Sequence, residues 1–128
     1  MQQQMGFCST ADNVRIAYAT VGSGPALMVA SPGPSRLGLE WQEPRVRDFW
    51  ETIGQHHIVV RYDRHGCGLS DRNRSDFSLD SEIRTIEAIV KELGLKSLVL
   101  LGQRHGGAPA IGYAVKYSFT SAASLQSG

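Results

Sequence analysis

A chain of 128 residues, 41% apolar and 20% charged, can bury one modest core and leaves little room for a second domain. With 13 basic against 12 acidic residues the formal charge is +1, which excludes the pull on nucleic acid or anionic membrane that a strongly basic surface exerts. Two cysteines, Cys8 and Cys67, are too few for a disulfide framework or a zinc site, so both are expected as reduced thiols.

The opening Met1-Gln2-Gln3-Gln4-Met5 has neither the basic nor the apolar region of a secretory signal. No apolar run approaches the roughly 20 residues that a membrane helix needs. A soluble, cytoplasmic chain is the expectation.

Phe7-Cys8-Ser9-Thr10 starts a strand, and Ala11-Asp12-Asn13 is a turn. Val14 to Val21 then alternates, with Val14, Ile16, Tyr18 and Thr20 on one face, which predicts an antiparallel hairpin. Gly22-Ser23-Gly24-Pro25 ends it. The continuous apolar run Ala26-Leu27-Met28-Val29-Ala30 has the pattern of a strand buried on both faces. Ser31-Pro32-Gly33-Pro34-Ser35 can continue neither a helix nor a central strand.

Val46, Phe49, Trp50 and Ile53 have helical spacing up to Gly54, and Trp41, Phe49, Trp50 and Tyr62 are expected to pack on the sheet. His57 to Tyr62 is a second buried strand, ending at Asp63. Leu79, Ile83, Ile86, Val90 and Leu93 form an amphipathic helix with Ser78 as N-cap, Asp80 and Glu82 in its first turn, and Gly94 closing it. Ser97 to Leu101 is a third buried strand, followed by a helical segment from Ala108 to Tyr117.

The order β-β-β-α-β-α-β-α, with two β-α-β crossovers between apolar strands, predicts an α/β fold. Its sheet is mostly parallel, with an N-terminal antiparallel hairpin and helices on both faces. Residues 1–117 form the domain. The uncharged, serine-rich stretch 118–128 has no helical or strand period and is expected to be a disordered tail.

The chemistry-bearing motif is Gly102-Gln103-Arg104-His105-Gly106-Gly107, where a buried strand turns at glycines into a helix. A phosphate loop would need Lys-Ser or Lys-Thr where Ala108-Pro109 stands. A dinucleotide fingerprint would need a third glycine after Gly66-Cys67-Gly68 and a helix at once. No cofactor and no metal are expected.

Three segments in register resemble the α/β-hydrolase superfamily over residues 7 to 117. Ser31-Pro32-Gly33-Pro34 follows the third strand, where that family places its oxyanion-hole loop. Asp63-Arg64-His65-Gly66-Cys67-Gly68-Leu69-Ser70 resembles its Asp-x-Arg-Gly-x-Gly-x-Ser turn, with the arginine one place early. Gly102 to Gly106 resembles the Gly-x-Ser-x-Gly nucleophile elbow. A finer likeness is to hydrolase domains found beside bacterial signalling modules.

The resemblance implies hydrolysis of small esters, amides or lactones by an elbow serine, a histidine base and an acid that orients it. It implies the backbone N–H of His105 as one oxyanion donor and that of Gly33 or Ser35 as the other, since Pro32 and Pro34 carry none.

The elbow's middle residue here is Arg104, whose guanidinium has no useful lone pair and cannot be a nucleophile. His56, His57, His65 and His105 all precede or adjoin the elbow, and the family's acid and histidine follow later strands. The reading is therefore a truncated, catalytically silent relative. Its third buried strand would have a bare apolar edge that invites self-association.

Two alternatives stay open. One is a binding domain in which Arg104 holds a carboxylate, phosphate or protein partner at a helix N-terminus. The other is an enzyme using Cys67 or Ser31 with His65. Arg61, Arg64, Arg72 and Arg74, interleaved with Asp63, Asp71 and Asp76, predict a hydrogen-bonded turn in which Asp63 is structural.

Overall fold

The computed structural model describes residues 2–30, 41–73, 75–76, 78–103, 107–117 and 120–125. In chain order these form β1 (Gln4–Ser9), β2 (Arg15–Gly22), β3 (Ala26–Ala30), α1 (Pro44–Gly54) and β4 (Ile58–Tyr62). Then follow α2 (Leu79–Leu93), β5 (Leu98–Gln103), α3 (Gly107–Lys116) and β6 (Thr120–Leu125). The strands make one sheet in the order β1-β2-β4-β3-β5-β6.

The expected hairpin is present, with register from Gln4↔Thr20 to Ser9↔Arg15. Asn13 takes the left-handed conformation at φ 66°, which asparagine tolerates, and the Thr10 hydroxyl accepts from the Val14 N–H at 2.9 Å. Gly6 lies opposite Tyr18, and a methyl group there would fall 2.5 Å from the tyrosine ring. The glycine lets that ring lie across the edge strand.

β2 also pairs antiparallel with β4, from Tyr18↔Tyr62 to Gly22↔Ile58. That makes β2 an interior strand, and Ala17, Ala19 and Val21 are buried on the face opposite Ile16. β3 pairs in parallel with β4 on one side and β5 on the other.

Parallel neighbours need crossovers, and the crossovers place helices on both faces. On one face Ile16, Met28, Val60, Leu100, Ile86, Ile89 and Tyr113 form the larger core with α2 and α3. On the other, Val21, Val29 and Val59 pack against Trp50 of α1. Trp41 lies partly buried beside that second cluster. Phe49 does not join it: it is 47% exposed and stacks edge-on against Trp50.

The stretch expected to be a disordered tail holds β6. Thr120–Leu125 pairs in parallel with β5, from Leu98↔Thr120 to Gln103↔Leu125. The edge of β5 that the sequence reading left bare is therefore covered. Serine and alanine are weak strand formers, but here the backbone groups of β5 supply a pairing partner and α3 packs over both strands.

The helix ends follow their local chemistry. The Ser78 hydroxyl caps α2 by accepting from the Ser81 N–H at 3.2 Å, and Gly94 closes it in the left-handed conformation at φ 63°. Pro44 opens α1, where the missing N–H costs nothing. Gly112 brings α3 close to α2, since a methyl group there would meet Ile83 Cδ1 at 3.1 Å. The two helices are also tied through Glu87, which accepts from the Tyr117 hydroxyl and, at 3.0 Å, from Lys116 Nζ.

Arg84 of α2 joins the β1–β2 turn to the entry of α2, 2.7 Å from Asp76 and 3.4 Å from Asp12. Hydrogen bonds from Ser78, then from Arg84, hold the Asp76 carboxyl down at about 2.

Two measurements check this account. A carboxyl depressed on folding stabilises above the pKa of the unfolded chain, and that contribution fades as pH falls from about 4 towards 2. Urea titrations are expected to show Asp76→Asn flattening the loss of stability in that window, while an unchanged profile would remove Asp76 from it. Ile86→Ala, at a fully buried core position, is expected to lower the unfolding free energy by about 2–5 kcal/mol. Gly94→Ala is expected to lower it by only about 1–2 kcal/mol, since backbone strain is the sole cost with nothing within 4 Å.

Candidate active site

β3, β4, β5 and β6 run parallel, so the segments leaving their carboxyl ends emerge on one side of the sheet. In open α/β sheets that side is where ligands bind. The register Ala30↔Gly102 sets the last residue of β3 beside the next-to-last of β5. The proline-glycine segment and the glycine-rich segment therefore leave neighbouring strands at the same level.

Of the residues singled out in the sequence, Gly102 is buried within β5. Arg104, His105, Gly106 and Gly33 lie outside the described residues. The elements flanking the first three are placed: β5 ends at Gln103 and α3 begins at Gly107. A strand, a three-residue connection and a helix are the framework that a nucleophile elbow requires. α2 carries Asp80 and Glu82 in its first turn, whereas α3 has no acidic residue there.

The turn after β4 is described in detail. Asp63 is fully buried, and its carboxylate accepts from the Leu69 N–H at 2.9 Å. Its carbonyl accepts from the Ser70 hydroxyl, whose oxygen in turn accepts from the Ala17 N–H at 2.8 Å. The Asp63 N–H donates to the Ala17 carbonyl at 2.9 Å. One step further along, Asp71 accepts from the Arg15 N–H through its carboxylate at 2.8 Å and returns its own N–H to the Arg15 carbonyl at 2.9 Å. The turn is thus stitched to the start of β2.

Gly68 has φ 52°, and a methyl group on it would lie 2.1 Å from Asp63 Oδ2. The glycine leaves the space that the buried carboxylate fills.

The basic residues around this turn are engaged, as a hydrogen-bonded turn requires. Arg64 pairs with Glu82 of α2 at 3.0 Å, and Arg72 Nε donates to the Gly68 carbonyl at 2.9 Å. His65 Nε2 lies 2.8 Å from the Asn73 carbonyl. Arg61, buried in β4, reaches Gln3 at 3.2 Å and lies over the Trp50 ring. Arg74 lies outside the described residues.

Sequence reasoning missed Ser70 and Asp71 as ties to β2. Their partners are 53 and 56 residues away, and no local pattern announces a contact at that separation. Both cysteines are free thiols, and burial, then the nearby Glu92, pushes Cys8 up to about 11. Among the described residues no cluster of His, Cys, Asp and Glu could hold a metal ion, and no helix is long and apolar enough to cross a membrane.

No family model matches the chain. It is 44% identical over 62 residues to a proline iminopeptidase of Saccharolobus solfataricus, a match covering 46% of this chain and 20% of that protein. Among solved structures, a proline iminopeptidase-related protein from Thermus thermophilus superposes with a TM-score of 0.78 at 23% identity, covering 98% of this chain and 45% of that one. A haloalkane dehalogenase loop variant from Bradyrhizobium elkanii gives 0.78 at 18%, covering 96% and 40%. The chain spans about a fifth of the length of the curated relatives it matches first, and under half of these solved structures.

The role of the turn after β4 can be checked by Gly68→Ala, which forces a strained φ and drives Cβ into the Asp63 carboxylate. A loss of about 2–4 kcal/mol in urea unfolding is expected, from the strain and from the displaced buried carboxylate. A loss below about 1 kcal/mol would mean that the Asp63 cage does not hold the turn. With that turn, the strand order and the adjoining strand ends in place, the chain has the α/β-hydrolase fold over its described residues and is related to the α/β hydrolases.

Proposed function

We propose that this chain is an α/β-hydrolase relative in which serine-nucleophile hydrolysis is abolished at the elbow. The observation that carries the reading is the identity of one residue: Arg104 stands in the middle of Gly102-Gln103-Arg104-His105-Gly106, between β5 and α3. A guanidinium stays protonated at any physiological pH and offers no lone pair to a carbonyl carbon.

The described histidines support the same reading. His56 and His57 precede β4, at the end of the parallel strands remote from the elbow. Five residues of strand put about 16 Å between the two ends. His65 lies on the elbow's side of the sheet, but its Nε2 is engaged with the Asn73 carbonyl.

The chemistry of the lineage is hydrolysis of small esters, amides or lactones, and the proline iminopeptidase relatives make a proline amide the second substrate to test. Purified protein is assayed with a p-nitrophenyl ester and with proline p-nitroanilide, beside Arg104→Ser and a heat-denatured control. The native chain is expected to match the denatured control. Turnover by the native chain above that control would overturn the reading.

One observation favours a second reading, an anion-binding domain. α3 begins three residues after Arg104 and has no acidic residue in its first turn to meet its positive end. Phosphate or acetate would then raise the melting temperature saturably in the native chain and not in Arg104→Gln. An equal, unsaturating rise in both proteins would exclude a site at this residue.

A further inference from the structure

We draw no further inference here: the strongest candidate, the exposed apolar patch of Ile111 and Val115 on α3 with Leu79 of α2 beside it, carries nothing because nothing in the structure shows what covers it.

Discussion

β3 is five residues long, carries no polar side chain, and is hydrogen-bonded to a parallel neighbour on each side. A strand placed like that must be covered on both faces, because the sheet has no solvent side at its position. Since neither neighbour can be reached by a hairpin, the chain has to cross the sheet through α1 and then α2. The two cores follow from this, with Met28 facing α2 and α3 while Val29 faces α1. So does the placement of the candidate site, because parallel strands deliver their carboxyl ends to one side. A single short apolar run thus determines where the helices go and where any chemistry can happen.

The turn after β4 is the second constraint, and it is polar. A carboxylate buried as fully as that of Asp63 carries a desolvation cost unless its oxygens are met by donors. Leaving one such group unsatisfied costs about 1–3 kcal/mol, more than a typical hydrogen bond contributes. That asymmetry explains why the surrounding residues are so restricted. Gly68 makes the space, Leu69 supplies a backbone donor, and Ser70 passes the connection on to Ala17 in β2. The arginine one place early in this motif is engaged too, because Arg64 turns to Glu82 on α2. The turn after β4 is held by bonds within itself and is tied besides to β2 and to α2.

What could be read from the sequence follows from how local each interaction is. The helix α2 was legible because its apolar spacing, its Ser78 cap and its Gly94 terminator all lie within one stretch of chain. The buried strands β3, β4 and β5 were legible as apolar runs. The pairing of β2 with β4 was not, since nothing in either strand names a partner some 40 residues away. β6 was illegible for another reason: Thr-Ser-Ala-Ala-Ser-Leu has neither the apolar run nor the alternation of a strand, and it is a strand because β5 offers it an edge. Phe49 misled in the opposite direction, for it has helical spacing yet lies on the exposed side of Trp50. At the candidate site the identity of residue 104 and the strand and helix that flank it were legible, while the pairing that sets Ala30 beside Gly102 became visible only in the fold.

On the proposed reading, an arginine at the elbow position changes more than the nucleophile. Where a hydrolase has serine, the positive end of the following helix and the backbone N–H groups favour the negative charge that develops on oxygen during attack. Arg104, three residues before the start of α3 in the sequence, carries a permanently charged guanidinium. A cation held at a helix N-terminus is disfavoured by about 0.3–1 kcal/mol. A neutral ester or amide cannot relieve that cost, whereas a carboxylate or phosphate can, and a guanidinium bonds such groups in pairs. With no acidic residue in the first turn of α3, the helix itself supplies no counter-charge. On the second reading proposed above, an arginine at this position favours an anion that is charged beforehand over a neutral carbonyl that becomes charged in reaction.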